Sequence, residues 1–278
     1  MVASPWKSLA LRIGLPILVL WIIGGIMASY WTSSTGRALT LGAPALLTAA
    51  GIGLVVWALR QTRRARAVAG VLSGVETADD RKAALQKLEQ GFGKKDPAAI
   101  FAKAQLKLQE DPQEALRELE QIDLSKVLPN VADEARAQRA MIHLLLGQVT
   151  MAKPLAEGID LKRHEDPRAR AMMVAVVGET WARSGQAKRA VESLELYDPD
   201  DDTYEQVRPQ LWRARAYAYA YADDPRGMKR ALRRLVDQDP RILAGFMGKK
   251  THPMLQKEAK RMLEQSGAMP RKVVYQRS

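Results

Sequence analysis

Histidine and cysteine are the residue types to examine first for chemistry. The chain has three histidines, His143, His164 and His252, and no cysteine. No two of the histidines have the spacing of ligands to one metal ion, and the lack of cysteine excludes disulfides, thiolate metal sites and cysteine nucleophiles. We expect His143 to lie on a helix, either packed or at the surface, and His164 to lie at a helix start. The sequence therefore nominates no catalytic residue, no metal and no cofactor.

Two turns rich in glycine and lysine, at 91–95 and 245–250, are comparable to a phosphate-binding P-loop. Leu88 and Leu243 stand where that motif needs its first glycine, and Lys250 stands where the second turn needs serine or threonine. Both turns are therefore interpreted as helix ends followed by solvated lysines.

The acidic turn at 198–202 is comparable to a calcium-binding loop. Such a loop starting at Asp198 needs glycine in place of Thr203 and glutamate in place of Pro209, and neither is present. We interpret the turn as a solvated loop. With these sites excluded, the sequence predicts a protein that is not an enzyme.

The elements that carry these residues follow two apolar runs. The runs at 13–31 and 38–59 contain 19 and 22 uncharged residues, close to the roughly 20 that a helix needs to cross a bilayer. Only residues 32–37 join them, so the sequence predicts a transmembrane hairpin. A cleaved signal peptide is the alternative, but its apolar stretch is shorter and no second span follows it.

Basic residues indicate how the hairpin is oriented. Lys7 and Arg12 precede the first run, and Arg37 alone lies in the turn. Four arginines after the second run are candidates for contact with lipid headgroups: Arg60, Arg63, Arg64 and Arg66. The positive-inside rule then predicts that both termini lie on the cytoplasmic side of the cytoplasmic (inner) membrane.

The net charge favours the same surroundings. It is +12 in total, and the segment 1–59 contributes +3 of it. A basic side chain near anionic headgroups contributes about 1 kcal/mol of attraction, whereas nucleic-acid binding needs a clustered stripe or a motif. Outside 60–66 and the C-terminal tail, the positive charges alternate with acids along the chain. We therefore expect anionic lipid as a partner, and not nucleic acid.

The residue pattern of 80–267 predicts helices that are separated by short, regularly placed joints. Their long segments are rich in alanine, leucine, glutamate, lysine and arginine, which favour helix. In most joints an aspartate can cap a helix that begins with proline. The joints are Asp96-Pro97, Asp111-Pro112, Gly147, Asp166-Pro167, Gly185, Asp198-Pro199, Asp224-Pro225, Asp239-Pro240 and His252-Pro253. The intervals between them are typical of antiparallel helix pairs.

An internal repeat runs through these pairs. An alanine recurs at intervals of 37, 38 and 41 residues, at Ala115, Ala152, Ala190 and Ala231. Leucine follows four residues later at Leu119, Leu194 and Leu235. A small residue lets two helices cross closely, and the leucine one turn later fills the gap. Because one pair cannot bury its apolar face alone, neighbouring pairs must stack.

From about residue 80 to 240 this pattern resembles the tetratricopeptide repeat family. The best copy has small, aromatic, turn-glycine and small residues in the family's order, at Gly178, Trp181, Gly185 and Ala190. The period departs from the family, because every interval exceeds the family's repeat length of about 34 residues. The resemblance implies an α-solenoid of stacked antiparallel helix pairs. The predicted fold is therefore all-α, with the two-helix transmembrane hairpin before this solenoid.

The layout, a hairpin before helical repeats, is similar to HemY-type membrane proteins, which implies the bacterial inner membrane. The predicted organisation is a cytoplasmic N-terminus at 1–12, the hairpin at 13–59, a basic juxtamembrane helix or linker at 60–79, the repeat domain at 80–267 and a flexible basic tail at 268–278. We also expect the arginines at 60–66 to continue the second span as a helix straight into the repeats.

Arrays of this kind bind partners on the face lined by the first helix of each pair. The resemblance assigns to that candidate face Met172, Glu179, Arg183, Arg213, Tyr217 and Tyr221. The alternative is that the tyrosines and methionines fill the core. The sequence thus predicts a membrane-anchored, non-enzymatic scaffold that docks protein partners. A structural subunit of a larger membrane protein complex is the alternative.

Overall fold

The structure is a computed structural model that describes residues 22, 45, 46, 48–50, 53, 56, 63, 67–73, 75, 77–93, 95–108, 110–248 and 250–267. It divides into two compact units, with the boundary between Gly74 and Val75. The described part is 78% helix and contains no strand, which confirms the all-α prediction.

The first unit includes the predicted hairpin, most of which lies outside the described residues. Those that are described within 13–59 are helical, and Leu46 is 74% exposed. Across the described residues, no helix has the length and apolar character needed to cross a bilayer. Arg63 is helical and exposed, whereas the tail at 268–278 and three of the predicted headgroup ligands lie outside the described residues, namely Arg60, Arg64 and Arg66.

The basic segment does not continue as one helix into the repeats. Residues 67–72 are helical, and the amide of Ser73 closes that helix on the carbonyl of Ala69. A separate helix then starts with its own capping box, in which the Thr77 hydroxyl accepts from the Asp80 amide and the Asp80 carboxylate accepts from the Thr77 amide. The predicted uninterrupted helix is therefore wrong, because this cap begins a new helix.

The second unit is built from α-helices joined by short turns. They are α1 (Ala78–Gly91), α2 (Pro97–Leu108), α3 (Pro112–Glu120), α4 (Pro129–Leu145), α5 (Val149–Glu157), α6 (Pro167–Arg183), α7 (Ala187–Glu195), α8 (Arg208–Tyr221), α9 (Pro225–Gln238) and α10 (Pro253–Gln265). Short 3-10 segments lie at Leu161–Arg163, Asp202–Val207 and Pro240–Phe246.

Aspartate caps begin several helices as the sequence predicts. Asp111, Asp166 and Asp224 accept bonds from backbone amides at the starts of α3, α6 and α9, and proline follows each of them. Asp198 differs, because its carboxylate accepts from the Asp200 amide within a turn. No helix starts there, since the next segment is the 3-10 turn Asp202–Val207.

Consecutive helices pack as pairs: α2 with α3, α4 with α5, α6 with α7 and α8 with α9. The first helix of a pair also packs on the second helix of the pair before it, and α6 contacts both α4 and α8. The repeated small and leucine positions are fully buried, at Ala115, Leu119, Ala152, Ala190, Leu194, Ala231 and Leu235. The 3-10 segment Pro240–Phe246 and α10 pack on the last pair.

In each of the last three pairs, the turn between the two helices contains a residue with left-handed backbone. Gly147 has φ 70°, Gly185 has φ 92° and Asp223 has φ 58°. The sequence separation between Gly147 and Gly185 equals that between Gly185 and Asp223. Glycine and aspartate are among the residues that adopt this conformation most readily. These positions define a register that is more regular than the spacing of the buried alanines.

Arginines on first helices cap the second helix of the preceding pair. Arg139 on α4 donates from Nη2 to the carbonyl oxygens of Leu119, at 2.6 Å, and Ile122, at 2.7 Å, at the end of α3. Arg215 on α8 donates from Nη2 to the carbonyl oxygens at the end of α7, those of Leu194 at 3.1 Å and Tyr197 at 2.8 Å. Arg139 lies eight residues before the turn residue Gly147, and Arg215 lies eight residues before the turn residue Asp223. The capping contact therefore recurs at equivalent positions of the two repeats.

We expect the substitution Arg215→Met to lower the free energy of unfolding by about 2 kcal/mol. Methionine keeps much of the apolar stem, but the two carbonyls at the end of α7 lose a charged donor. Burial already lowers the pKa of the Arg215 guanidinium, and these carbonyls offset that cost. Urea unfolding followed by circular dichroism measures the change. The control Arg226→Met, at an exposed position of α9, should change the value by less than about 0.5 kcal/mol; equal losses in both variants would contradict the capping role.

Candidate functional site

Three concavities lie side by side along α4, α6 and α8. Their volumes are about 330, 220 and 240 Å³. Met141 and Val176 line both the first and the second, while Leu144 and Arg213 line both the second and the third. Neighbouring concavities share lining residues and follow one another along the three helices, and together they are called the groove below.

The floor of the groove repeats in the register of the left-handed turns. The residues thirteen, ten and six positions before each left-handed turn residue all line the groove. They are Glu134, Ala137 and Met141 before Gly147, then Met172, Ala175 and Glu179 before Gly185, and Gln210, Arg213 and Tyr217 before Asp223. Each set comes from the first helix of one pair. The groove is therefore a consequence of the repeat, and its chemistry varies because the side chains at equivalent positions differ.

At the α4 end, a buried carboxylate holds the groove wall together. Asp133 is 0% exposed and accepts from Nη1 of Arg136 at 2.8 Å and from Nη1 of Arg163 at 3.1 Å. His164 lines the groove here, and its Nε2 lies 3.6 Å from an Asp133 oxygen, beyond hydrogen-bonding distance. Among the described residues Nε2 has no hydrogen-bond partner, and the Glu134 side chain lines this end as well.

Towards the α8 end of the groove, Glu179 joins two arginines. Its Oε1 accepts from Nη1 of Arg183, one turn along α6, at 2.9 Å. Its two oxygens also accept from Arg213 on α8, from Nε at 3.1 Å and from Nη2 at 3.2 Å. Arg183 donates further to the carbonyl oxygen of Leu144 at 2.9 Å. The cluster thus ties α4, α6 and α8 together beneath the groove.

Both arginines also face an aromatic ring. The Cζ atom of Arg183 lies 4.7 Å from the centroid of Tyr217, and that of Arg213 lies 5.8 Å from it. Burial raises the pKa of the Tyr217 hydroxyl. Burial by itself lowers the pKa of Arg213, but the Glu179 carboxylate more than compensates and raises it. One carboxylate therefore faces two guanidinium groups, and the exposed Lys250 adds another cation at this end.

Five of the six residues predicted for the binding face lie in the groove wall: Met172, Glu179, Arg183, Arg213 and Tyr217. Tyr221 is not among the lining residues, and its ring packs edge-on against that of His252, with the ring centroids 4.8 Å apart. Burial limits how much of each of the other five side chains can contact a partner. Tyr217 is 2% exposed, as the alternative of tyrosine in the core predicts, whereas Met172 and Arg213 are partly exposed.

Sequence reasoning did not assign Met141, Gln210, Ile242 or Lys250 to the groove, although all of them line it. For Met141 and Gln210 a signal exists, since counting back from the left-handed turns finds both. Ile242 and Lys250 follow the last pair and have no equivalent in the earlier repeats. Only the packing of the chain after α9 brings them to the groove.

His143 and the two lysine-rich turns are the remaining candidates for chemistry. His143 is buried on α4, and its Nδ1 lies 2.8 Å from the Gln148 side-chain oxygen. The described residues contain no group of three histidine, aspartate or glutamate side chains that could hold a metal ion. Of the two lysine-rich turns, the first follows the end of α1 at Gly91, as expected, and the second follows a 3-10 segment that includes Gly245.

A scan against protein-family models and a search of curated proteins give no match to the chain. The residues of the groove, and the repeat that places them, are therefore the basis for assigning a function.

Proposed function

We propose that the chain is a membrane-anchored, non-enzymatic scaffold whose helical repeats bind a segment of a protein partner in the groove. The observation that carries this proposal is the groove itself, because its lining repeats in register over three first helices. Such a continuous surface suits an extended or helical segment better than a small substrate, which needs a closed pocket.

The lining suits an amphipathic protein segment. Methionine and aliphatic side chains supply adaptable apolar contact, at Met141, Met172, Val176 and Ile242. Polar groups stand towards both ends, with Glu134 and His164 at one and Arg213 and Lys250 at the other. Apolar contact in the middle supplies affinity, and the unlike ends fix the direction of the bound segment.

The repeat itself supports a tetratricopeptide-like α-solenoid as the finer description of the fold. Its left-handed turns recur with an equal step, and arginine caps recur between the pairs. Gly178 packs against Leu194 at the crossing of α6 and α7, where the family resemblance places a small residue. We propose that the solenoid presents its first helices to the partner.

Three features support the membrane part of the proposal, two in the sequence and one in the structure. The runs at 13–31 and 38–59 carry no charge, and the described large side chains Ile22, Leu46 and Val56 are exposed to between 41% and 74%. Apolar side chains on the surface of a helix are expected where lipid replaces water. The arginines at 60–66 place the repeats on the cytoplasmic side under the positive-inside rule.

Site-specific photocrosslinking in native membranes tests the docking function. A photoreactive amino acid at Met172 or Gln210 should crosslink to the same partner, whereas the same probe at exposed Lys188 on α7 should not. The substitution Met141→Arg, which introduces a charge between these positions, should abolish the crosslink without changing the melting temperature. Crosslinks from 13–59 with none from the groove would contradict docking there and would favour a structural subunit of a larger membrane complex.

A further inference from the structure

The exposed face of α9 is strongly basic. Five basic side chains lie on it, all exposed: Arg226, Lys229, Arg230, Arg233 and Arg234. The only acid in the helix is Asp237. The opposite face is buried and apolar, with Met228, Ala231, Leu232 and Leu235. Helical spacing therefore gathers positive charges that we expected to alternate with acids, and for α9 that expectation is wrong.

Acidic neighbours leave most of this charge uncompensated. Arg234 forms an ion pair of 2.9 Å with Asp200. Within the part of the chain that the structure describes, no carboxylate lies within 4.0 Å of the charged groups of the other four basic residues of this face. Their charges are solvated and available to a partner of opposite sign.

The concentration of charge is specific to the last pair. Among the second helices, α3 has three acidic residues and one basic residue, whereas α5 and α7 each have equal numbers of the two. In α9 five basic residues face one acid, a formal charge of +4. A general solubilising surface would distribute the charge over all the pairs, so α9 has a separate role.

We propose that this α9 face binds anionic lipid headgroups. Its cations lie on the outside of a helix, where they can approach a charged surface together. The helix contains no aromatic residue on which a base could stack. Anchoring, if the proposed function is right, keeps the face near headgroups at high effective concentration. Lipid is therefore favoured over nucleic acid or an acidic protein.

The absence of cysteine in the chain makes a direct test possible. In the full-length chain, Asp237→Cys carries a spin label on the basic face, and Arg117→Cys carries one on α3. The chain is mixed with vesicles of phosphatidylcholine, either alone or with a minor fraction of phosphatidylglycerol. Lipid contact is measured by comparing how accessible the spin label is to oxygen, which enters lipid, with how accessible it is to a nickel complex, which stays in water. We expect lipid contact at 237 only with phosphatidylglycerol, reversed by high salt because exposed charges are screened, and none at 117.

Charge reversal distinguishes binding by the α9 face from a general effect of the net charge of the chain. Lys229→Glu with Arg233→Glu should lower the ratio of lipid-associated to free label at 237 by more than about tenfold, because each basic side chain near the surface contributes about fivefold. The control Lys87→Glu with Lys162→Glu changes the same number of exposed basic residues elsewhere and should leave the ratio unchanged. Equal accessibility with both lipids, or an equal response of both double variants, would overturn the proposal.

The same samples distinguish a failure of lipid binding by the α9 face from a failure of the proposed membrane anchor. Flotation with vesicles of phosphatidylcholine alone reports the anchor, and its failure refutes only that part. In that case the face should still carry the chain to vesicles containing phosphatidylglycerol, in a manner that salt and the α9 double variant abolish. A short RNA or DNA duplex that binds with the same variant dependence, when phosphatidylglycerol does not, would show that the partner is nucleic acid and overturn the proposal.

Discussion

Replacement of Glu179 by glutamine is expected to lower the free energy of unfolding by about 3–5 kcal/mol. The side chain of Arg183 is 2% exposed and that of Arg213 is 22% exposed, so both guanidinium groups depend on this carboxylate for a counter-charge. Glutamine preserves the shape but leaves the two cations facing each other with no acid between them. Urea unfolding monitored by helical circular dichroism measures the loss.

Two further variants test whether the loss comes from buried charge. Glu157→Gln removes the carboxylate of a pair with Lys153 that is 3.9 Å long and about half exposed, so it should change stability by less than about 0.5 kcal/mol. Adding Arg183→Met to Glu179→Gln removes one of the unpaired cations and should recover part of the loss. If the double variant is no more stable than the single one, the charge argument fails.

The substitution Gly178→Leu is expected to lower the free energy of unfolding by about 3 kcal/mol. A Cβ atom at this position would lie 2.9 Å from both Cγ and Cδ1 of Leu194. Leu194 is fully buried, so it cannot move aside without separating α6 from α7. Overpacking of this kind costs about 1–3 kcal/mol, and the remaining atoms of leucine add to the clash, which exceeds the gain of about 1 kcal/mol in helix propensity.

The packing partner supplies the test. Gly178→Leu combined with Leu194→Ala places the larger side chain on the other helix, and this double variant should unfold at a higher urea concentration than Gly178→Leu alone. Gly91→Leu is the control, because nothing lies within 4 Å of a Cβ atom at the end of α1. Should Gly178→Leu prove as stable as Gly91→Leu, close crossing at this position would be disproved.

Local signals in the sequence predicted much of the fold correctly. Asp-Pro steps predicted the starts of α3, α6 and α9, because an aspartate cap and a first-turn proline act within a few residues. The repeated alanines and leucines predicted the buried crossings, since a small residue and a leucine one turn apart lie on one side of a helix. These are contacts of a residue with its own helix or its immediate neighbour.

The third left-handed turn shows where such reasoning stopped. Gly147 and Gly185 are recognisable because glycine adopts positive φ without strain, but Asp223 occupies the equivalent position. The alanines do not reveal the equal step between the turns, because their last interval is longer than the others. Counting from the turns would have placed Met141 and Gln210 in the groove.

By itself the sequence determined an all-helical chain of paired segments, with arginines and an acid on the first helices of the later pairs. It could not determine that Glu179 is shared by Arg183, four residues away, and Arg213, 34 residues away. Similarly, the five basic residues of α9 are visible in the sequence, but the sequence could not determine which face of that helix stays exposed. Tertiary structure decided both, because the partner of a side chain and the sign of a surface depend on which helix faces pack together and which remain exposed.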